Sequence, residues 1–178
     1  MQSFLCYAVL SLCVELFFAT SQRDENRTAD EFEKHQERLS RETSPLGRVK
    51  ILIKMSDLTI GEVNHWVKKG NLLEADRFLK RYVEVIKETH KTLKSSNRNA
   101  QRNPAGFKDF EISLRRQLRK LADLKLNYSF DQQEAINEAI AAAESAKEEM
   151  LREIFGSENA GPRKEHSPSA AKTKEESP

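Results

Sequence analysis

Between residues 49 and 93, apolar side chains return every three or four positions, on two runs separated by Gly70-Asn71. That period keeps a stripe on one side of an α-helix and would scatter it over both faces of a strand. The second run is the cleaner. Leu72, Ala75, Leu79, Tyr82, Ile86 and Leu93 form its stripe, with Thr89 in a polar slot, and Phe78, Val83 and Val85 widen it. Such a broad stripe is what a helix needs to pack against more than one neighbour. In the first run Ile51, Met55, Leu58, Val63, Trp66 and Val67 share a face, although Val49, Ile51, Ile53 and Met55 also alternate as a strand would. Helix is the reading adopted, because no other stretch offers a strand for it to pair with. Gly61 lies inside this run and predicts a kink or a break, at a cost of about 1 kcal/mol relative to Ala. Gly70 suits the end of one helix and Asn71 the start of the next, so the two runs predict a helical hairpin.

Two more helices follow. Residues 95–106 are rich in Asn, Ser and Arg and read as a loop, with Asn103-Pro104 as cap and first-turn proline of the third helix. Phe107, Phe110, Leu114, Leu118, Leu121 and Leu124 make that helix's stripe. Leu126 to Phe130 is a short connection. Asp131 with Glu134 resembles a capping box opening a fourth helix that runs to about Phe155. Ile136, Ile140, Ala143, Met150 and Ile154 form its stripe, and Gly156 ends it. Short connections favour antiparallel neighbours, so the expected fold is all-α: an antiparallel up-down four-helix bundle of two hairpins over residues 45–155.

The flanks differ in composition. Residues 1–21 read as a secretory signal: Phe4 to Phe18 is mostly apolar, and Ala19-Thr20-Ser21 supplies small residues for cleavage. The run is shorter than the roughly 20 residues of a spanning helix, so no stable transmembrane anchor is expected after cleavage. An exported chain, secreted or periplasmic, follows. Cys6 and Cys13 both fall in that segment, leaving no cysteine for a disulfide, a thiol nucleophile or a zinc site. Residues 22–44 are charged, with Phe32 and Leu39 as their only large apolar side chains, and read as a flexible or loosely helical lead-in. Ser44-Pro45 then opens the first helix. Residues 156–178 hold Pro, Ser, Lys and Glu with no large apolar residue and read as a disordered tail.

Charge is uneven. Residues 46–105 carry 13 Lys/Arg against 6 Asp/Glu, whereas residues 126–156 carry 2 against 7. Mutual screening of basic and acidic helices inside the bundle is the main reading. The alternative is a basic face for an anionic surface or polymer, built from Lys80, Arg81, Lys87, Lys91, Arg115, Arg116 and Arg119. Nucleic acid is not expected as a partner, because aromatic and basic residues do not interleave and no recognition motif is present.

Catalytic patterns are sparse. Glu62 and His65 have the Glu-x-x-His spacing of di-iron bundles, but the second copy fails because Lys87 stands three residues before His90. No cofactor or metal is expected, nor an enzyme. Trp66, the single tryptophan, is assigned to the core. Asn26-Arg27-Thr28 and Asn127-Tyr128-Ser129 match the glycosylation acceptor pattern, the second beside packing aromatics. Lys69-Gly70-Asn71-Leu72-Leu73-Glu74-Ala75 resembles the turn of a tetratricopeptide unit, without a second copy at that family's period, so no solenoid is implied. The expected role is non-catalytic, structural or partner-binding.

Overall fold

The computed structural model describes residues 30–156, and every regular element in that range is helical. The signal at 1–21, the start of the lead-in at 22–29 and the tail at 157–178 lie outside the described residues. Helix α1 covers residues 30–41. It is followed by α2 (Pro45–Lys68), α3 (Leu72–Ser95), α4 (Phe107–Lys125), a single 3-10 turn (Phe130–Gln132) and α5 (Glu134–Phe155). Among the described residues, no helix is long and apolar enough to cross a membrane.

Helices α2 and α3 pack on each other, as do α4 and α5, and the two hairpins meet along α3–α5 and α2–α4. All four helices contribute to one core, including Val49, Val63, Leu79, Tyr82, Phe110, Leu114, Leu121, Ile136 and Met150, each almost wholly buried. Within a hairpin the helices run antiparallel, as a short turn demands. Between hairpins they run side by side in the same direction, which corrects the expected up-down bundle: α3 and α4 are not antiparallel neighbours but stand diagonally. Leu46 lies against Gly106, and Ser56 and Asp57 reach Gln117 and Arg116. On the other side Asp76 meets Tyr128, and His90 and Lys94 meet Glu149. The 96–106 loop therefore crosses the end of the molecule on a diagonal.

The α2–α3 turn is built as its residues predict. Gly70 adopts φ +72°, its N–H donates to Val67 O at 2.9 Å, and the Asn71 N–H donates to Trp66 O at 3.0 Å. This pair of bonds is the Schellman ending, which calls for a left-handed residue at that position. The Asn71 side chain then accepts from the Glu74 N–H and caps α3. Ser44 and Pro45 start α2 in the same predicted manner, the Ser44 side chain accepting from the Gly47 N–H.

Four local expectations need correcting. The lead-in, expected to be flexible or loosely helical, contains a docked helix, α1: Phe32 and Leu39 pack beside Leu52, Met55 and Val85, and Arg48 Nη1 donates to Leu39 O at 2.9 Å. Those partners come from α2 and α3, so the two apolar residues of the lead-in find a surface that its own sequence does not display. Gly61 neither kinks nor breaks α2, which continues through it. A Cβ there would meet nothing within 4 Å, so the position carries only the propensity cost. Helix α4 starts at Phe107, behind Gly106, and Asn103-Pro104 belongs to the preceding turn. Asp131 and Glu134 do not form a capping box; the 3-10 turn intervenes and Gln133 precedes α5 without a side-chain cap.

The strand-like alternation at 49–55 has a packing cause. Val49 and Ile53 face the main core, while Ile51, Leu52 and Met55 line the separate cluster under α1. Helix α2 is buried on more than one side, so its apolar residues spread around it and imitate a period of two.

Candidate functional site

A polar cluster sits inside the core, where the stripes led one to expect apolar contacts alone. Gln117 is fully buried, and Ser56 and Ser113 nearly so. The Gln117 amide nitrogen lies 2.7 Å from Ser56 Oγ, 2.9 Å from Ser113 Oγ and 3.0 Å from Asp57 Oδ1. Its carbonyl oxygen accepts from the Tyr82 hydroxyl at 3.1 Å. Three oxygens around one atom identify that atom as the NH₂ end of the amide. Asp57 also accepts from Arg116 Nη2 at 2.6 Å. Burial pushes the Tyr82 phenol well above its ordinary range, so it is a neutral donor. Ser56 passes its own proton to Ile53 O at 2.8 Å. The cluster gives each member at least one partner and joins α2, α3 and α4 at one level. Other buried hydroxyls turn to their own helices: Thr59 to Met55 O and Thr89 to Val85 O, each at 2.7 Å.

The seven basic residues proposed as an anionic-surface contact do not converge. Helices α3 and α4 are diagonal partners, so their solvent faces point away from each other. Lys80, Arg81, Lys87 and Lys91 are exposed on α3, and Arg115, Arg116 and Arg119 on α4. Several are already engaged. Arg81 stacks 3.6 Å from the centre of the Phe32 ring, a contact that helps seat α1. Arg115 grips the buried Glu111 with two bonds of 2.6 Å, and Arg116 holds Asp57. Glu62 and His65 are half-buried on α2, and the described residues hold no group of three metal-ligating side chains. Trp66 is half-buried against the core, with His65 edge-on at 5.3 Å and the Lys69 ammonium 4.9 Å above its ring.

The α2–α3 turn and the connection between α4 and α5 share one end of the molecule, and this end carries a cleft. The cleft, of about 580 Å³, lies between the first turns of α3 and α5, bordered by Leu72, Leu73, Asp76, Lys80, Asp131, Glu134 and Glu138. Burial raises the Asp76 carboxyl above the usual carboxylate range, opposed by the neighbouring Tyr128 hydroxyl and by Lys80. The Tyr128 hydroxyl is pushed up to about 12, by burial first and by Asp76 second. Leu73, 75% exposed, borders the cleft, and the α4–α5 connection at this end carries Leu126, 86%, and Phe130, 94%. The stripes did not flag them, because each falls outside a stripe or in a connection. The available signal was the oddity of large apolar residues in a turn.

At the opposite end, Glu149 on α5 binds two residues of α3. Its Oε2 lies 2.9 Å from Lys94 Nζ and 2.8 Å from His90 Nε2. The Lys94 hydrogen bond holds the Glu149 carboxyl below its usual value of 4.5, with His90, Lys94 and Arg152 adding charge. A depressed folded-state value means stability present above the unfolded pKa and lost as pH falls through the folded one. Glu149→Gln is therefore expected to cost about 0.5–1 kcal/mol at pH 7, after discounting for solvent screening. The difference from the parent should shrink as pH falls below the carboxyl's ordinary value. Urea titrations at pH 7 and pH 3 check this; an equal difference at both values would refute the ion pair's role.

Comparison of the chain with protein-family models, with curated proteins and with solved structures finds no match.

Proposed function

We propose that this is a small exported protein that works by binding and not by catalysis, with two antiparallel helical hairpins as its rigid frame. The carrying observation is that Phe130, Leu126 and Leu73 all lie at one end of the molecule, exposed to 94, 86 and 75%. Large apolar side chains grouped on a surface mark a place where something docks. The polar groups lend support from the other direction, since Gln117, Tyr82, Ser56 and Ser113 use their hydrogen-bonding capacity on one another. Export rests on the apolar run at 4–18 and the small residues after it.

Site-directed photo-crosslinking in the native host tests the reading. A benzophenone side chain in place of Phe130 is expected to give a discrete adduct in the envelope or the medium. The same probe at Lys87, exposed on the outer face of α3, is the control and also examines the alternative of an anionic surface read by the basic faces. An adduct only at Lys87 would favour that alternative, and the absence of adducts at both positions would overturn the binding role.

A further inference from the structure

We propose that the end carrying the α2–α3 turn and the α4–α5 connection docks on a lipid bilayer, inserting Phe130, Leu126 and Leu73. The inference rests on the binding role and names what is bound. These are the three most exposed large apolar side chains among the described residues. The topology puts them at one end: Leu126 follows the last turn of α4, Phe130 precedes α5, and Leu73 lies in the first turn of α3. Leu73 also shares a cleft with Asp131, the residue after Phe130.

The choice of a bilayer over a second copy follows from area and chemistry. Three side chains offer on the order of a few hundred Å², against the roughly 800 Å² per partner of a stable protein interface. A bilayer needs no matched surface and accepts whatever apolar groups penetrate it. The surrounding side chains fit the water–lipid boundary. Lys68 and Lys69 close α2, Lys125 directly precedes Leu126, and Trp66 lies one turn back with the Lys69 ammonium over its ring. Lysines extend from such a boundary to phosphate groups, and tryptophan is enriched there. Asp76, Asp131, Glu134 and Glu138 border the cleft with Arg77 and Lys80, so these carboxylates offset the lysines and net charge is small. Insertion carries the binding and the lysines adjust it.

Followed backwards, α1 runs from Leu39, beside Arg48, to Phe32, against Arg81. It is heading along α2 and α3 towards the same end. The docking residues themselves belong to α3 and the α4–α5 connection, so a chain cleaved near residue 21 keeps them.

Trp66, as the single tryptophan, reports from this end alone. The full chain is mixed with phosphatidylcholine–phosphatidylglycerol vesicles whose acyl chains carry bromine. Trp66 fluorescence is expected to fall by about half, since bromine quenches only near the bilayer interior. Replacing all three residues (Leu73→Ser, Leu126→Ser, Phe130→Ser) is expected to weaken vesicle binding at least ~10-fold and to remove the quenching, with the helical circular dichroism unchanged. Vesicle binding without Trp66 quenching would overturn the inference by placing the lipid contact elsewhere. A lipid-free dimer dispersed by the same triple variant, seen in sedimentation equilibrium, would overturn it in favour of self-association. A protein adduct at position 130 without quenching would sink the lipid proposal while leaving the binding role standing.

Discussion

Gly106→Ala is expected to lower stability by about 2–4 kcal/mol, read as a fall in the urea midpoint at unchanged slope. Two effects combine. Gly106 has φ +86°, and a Cβ there would stand 2.6 Å from Leu46 Cδ2 and 3.2 Å from Leu93 Cδ2. The backbone strain alone is worth on the order of 1–3 kcal/mol. The clash adds to it, because Leu46 opens α2, Leu93 ends α3 and Gly106 introduces α4, so relief at one helix disturbs the others. Gly70→Ala is the control. Its φ is +72°, but an added Cβ there meets nothing within 4 Å, so only the strain remains, about 1–2 kcal/mol. If the two variants lose the same stability, three helices do not converge on Gly106.

The second large effect is non-additive. Gln117→Leu should cost about 2–3 kcal/mol, since it strands the buried Tyr82 hydroxyl and removes the donor shared by Ser56 and Ser113. Tyr82→Phe should cost about 1–2 kcal/mol by leaving the Gln117 carbonyl without its donor. Together they should cost less than the sum of the singles, because removing both partners of a buried hydrogen bond deletes the penalty along with the bond. A double-mutant cycle in urea measures the coupling, expected near 1–2 kcal/mol. Strict additivity would show that the amide and the phenol act independently.

Gln117 was the part of the interior most open to detection from the sequence. It sits three residues after Leu114 and four before Leu121, squarely in the stripe of α4, and a polar residue in such a slot needs buried partners. Which partners it has depends on the docking of the two hairpins, and that docking is not a local property. The same limit explains α1. Phe32 and Leu39 stand seven residues apart with nothing apolar and large between them, too thin a pattern to announce a helix. Their burial is set by Leu52, Met55 and Val85 on other elements. By contrast, α3 and the turn before it were legible in detail, because Gly70, Asn71 and the Ala75–Leu79–Tyr82–Ile86 spacing act within a few residues of one another. Gly106 misled for a related reason. Asn103-Pro104 carries the composition of a helix start, while the actual start is chosen by a glycine conformation that composition does not disclose. The exposed residues at the docking end were visible as individual letters; only the chain path brings them to one place.

The parallel meeting of the two hairpins bears on the order in which the chain assembles. Each hairpin pairs segments joined by a connection of modest length, whereas the contacts between hairpins link residues such as Ser56 and Gln117, 61 positions apart, or Lys94 and Glu149, 55 apart. Closing the longer intervals costs more chain entropy, so the hairpins should form early and their coupling should limit the folding rate. A break in the 96–106 segment would then leave two fragments able to find each other in solution, with the Gln117 amide recognising its complement.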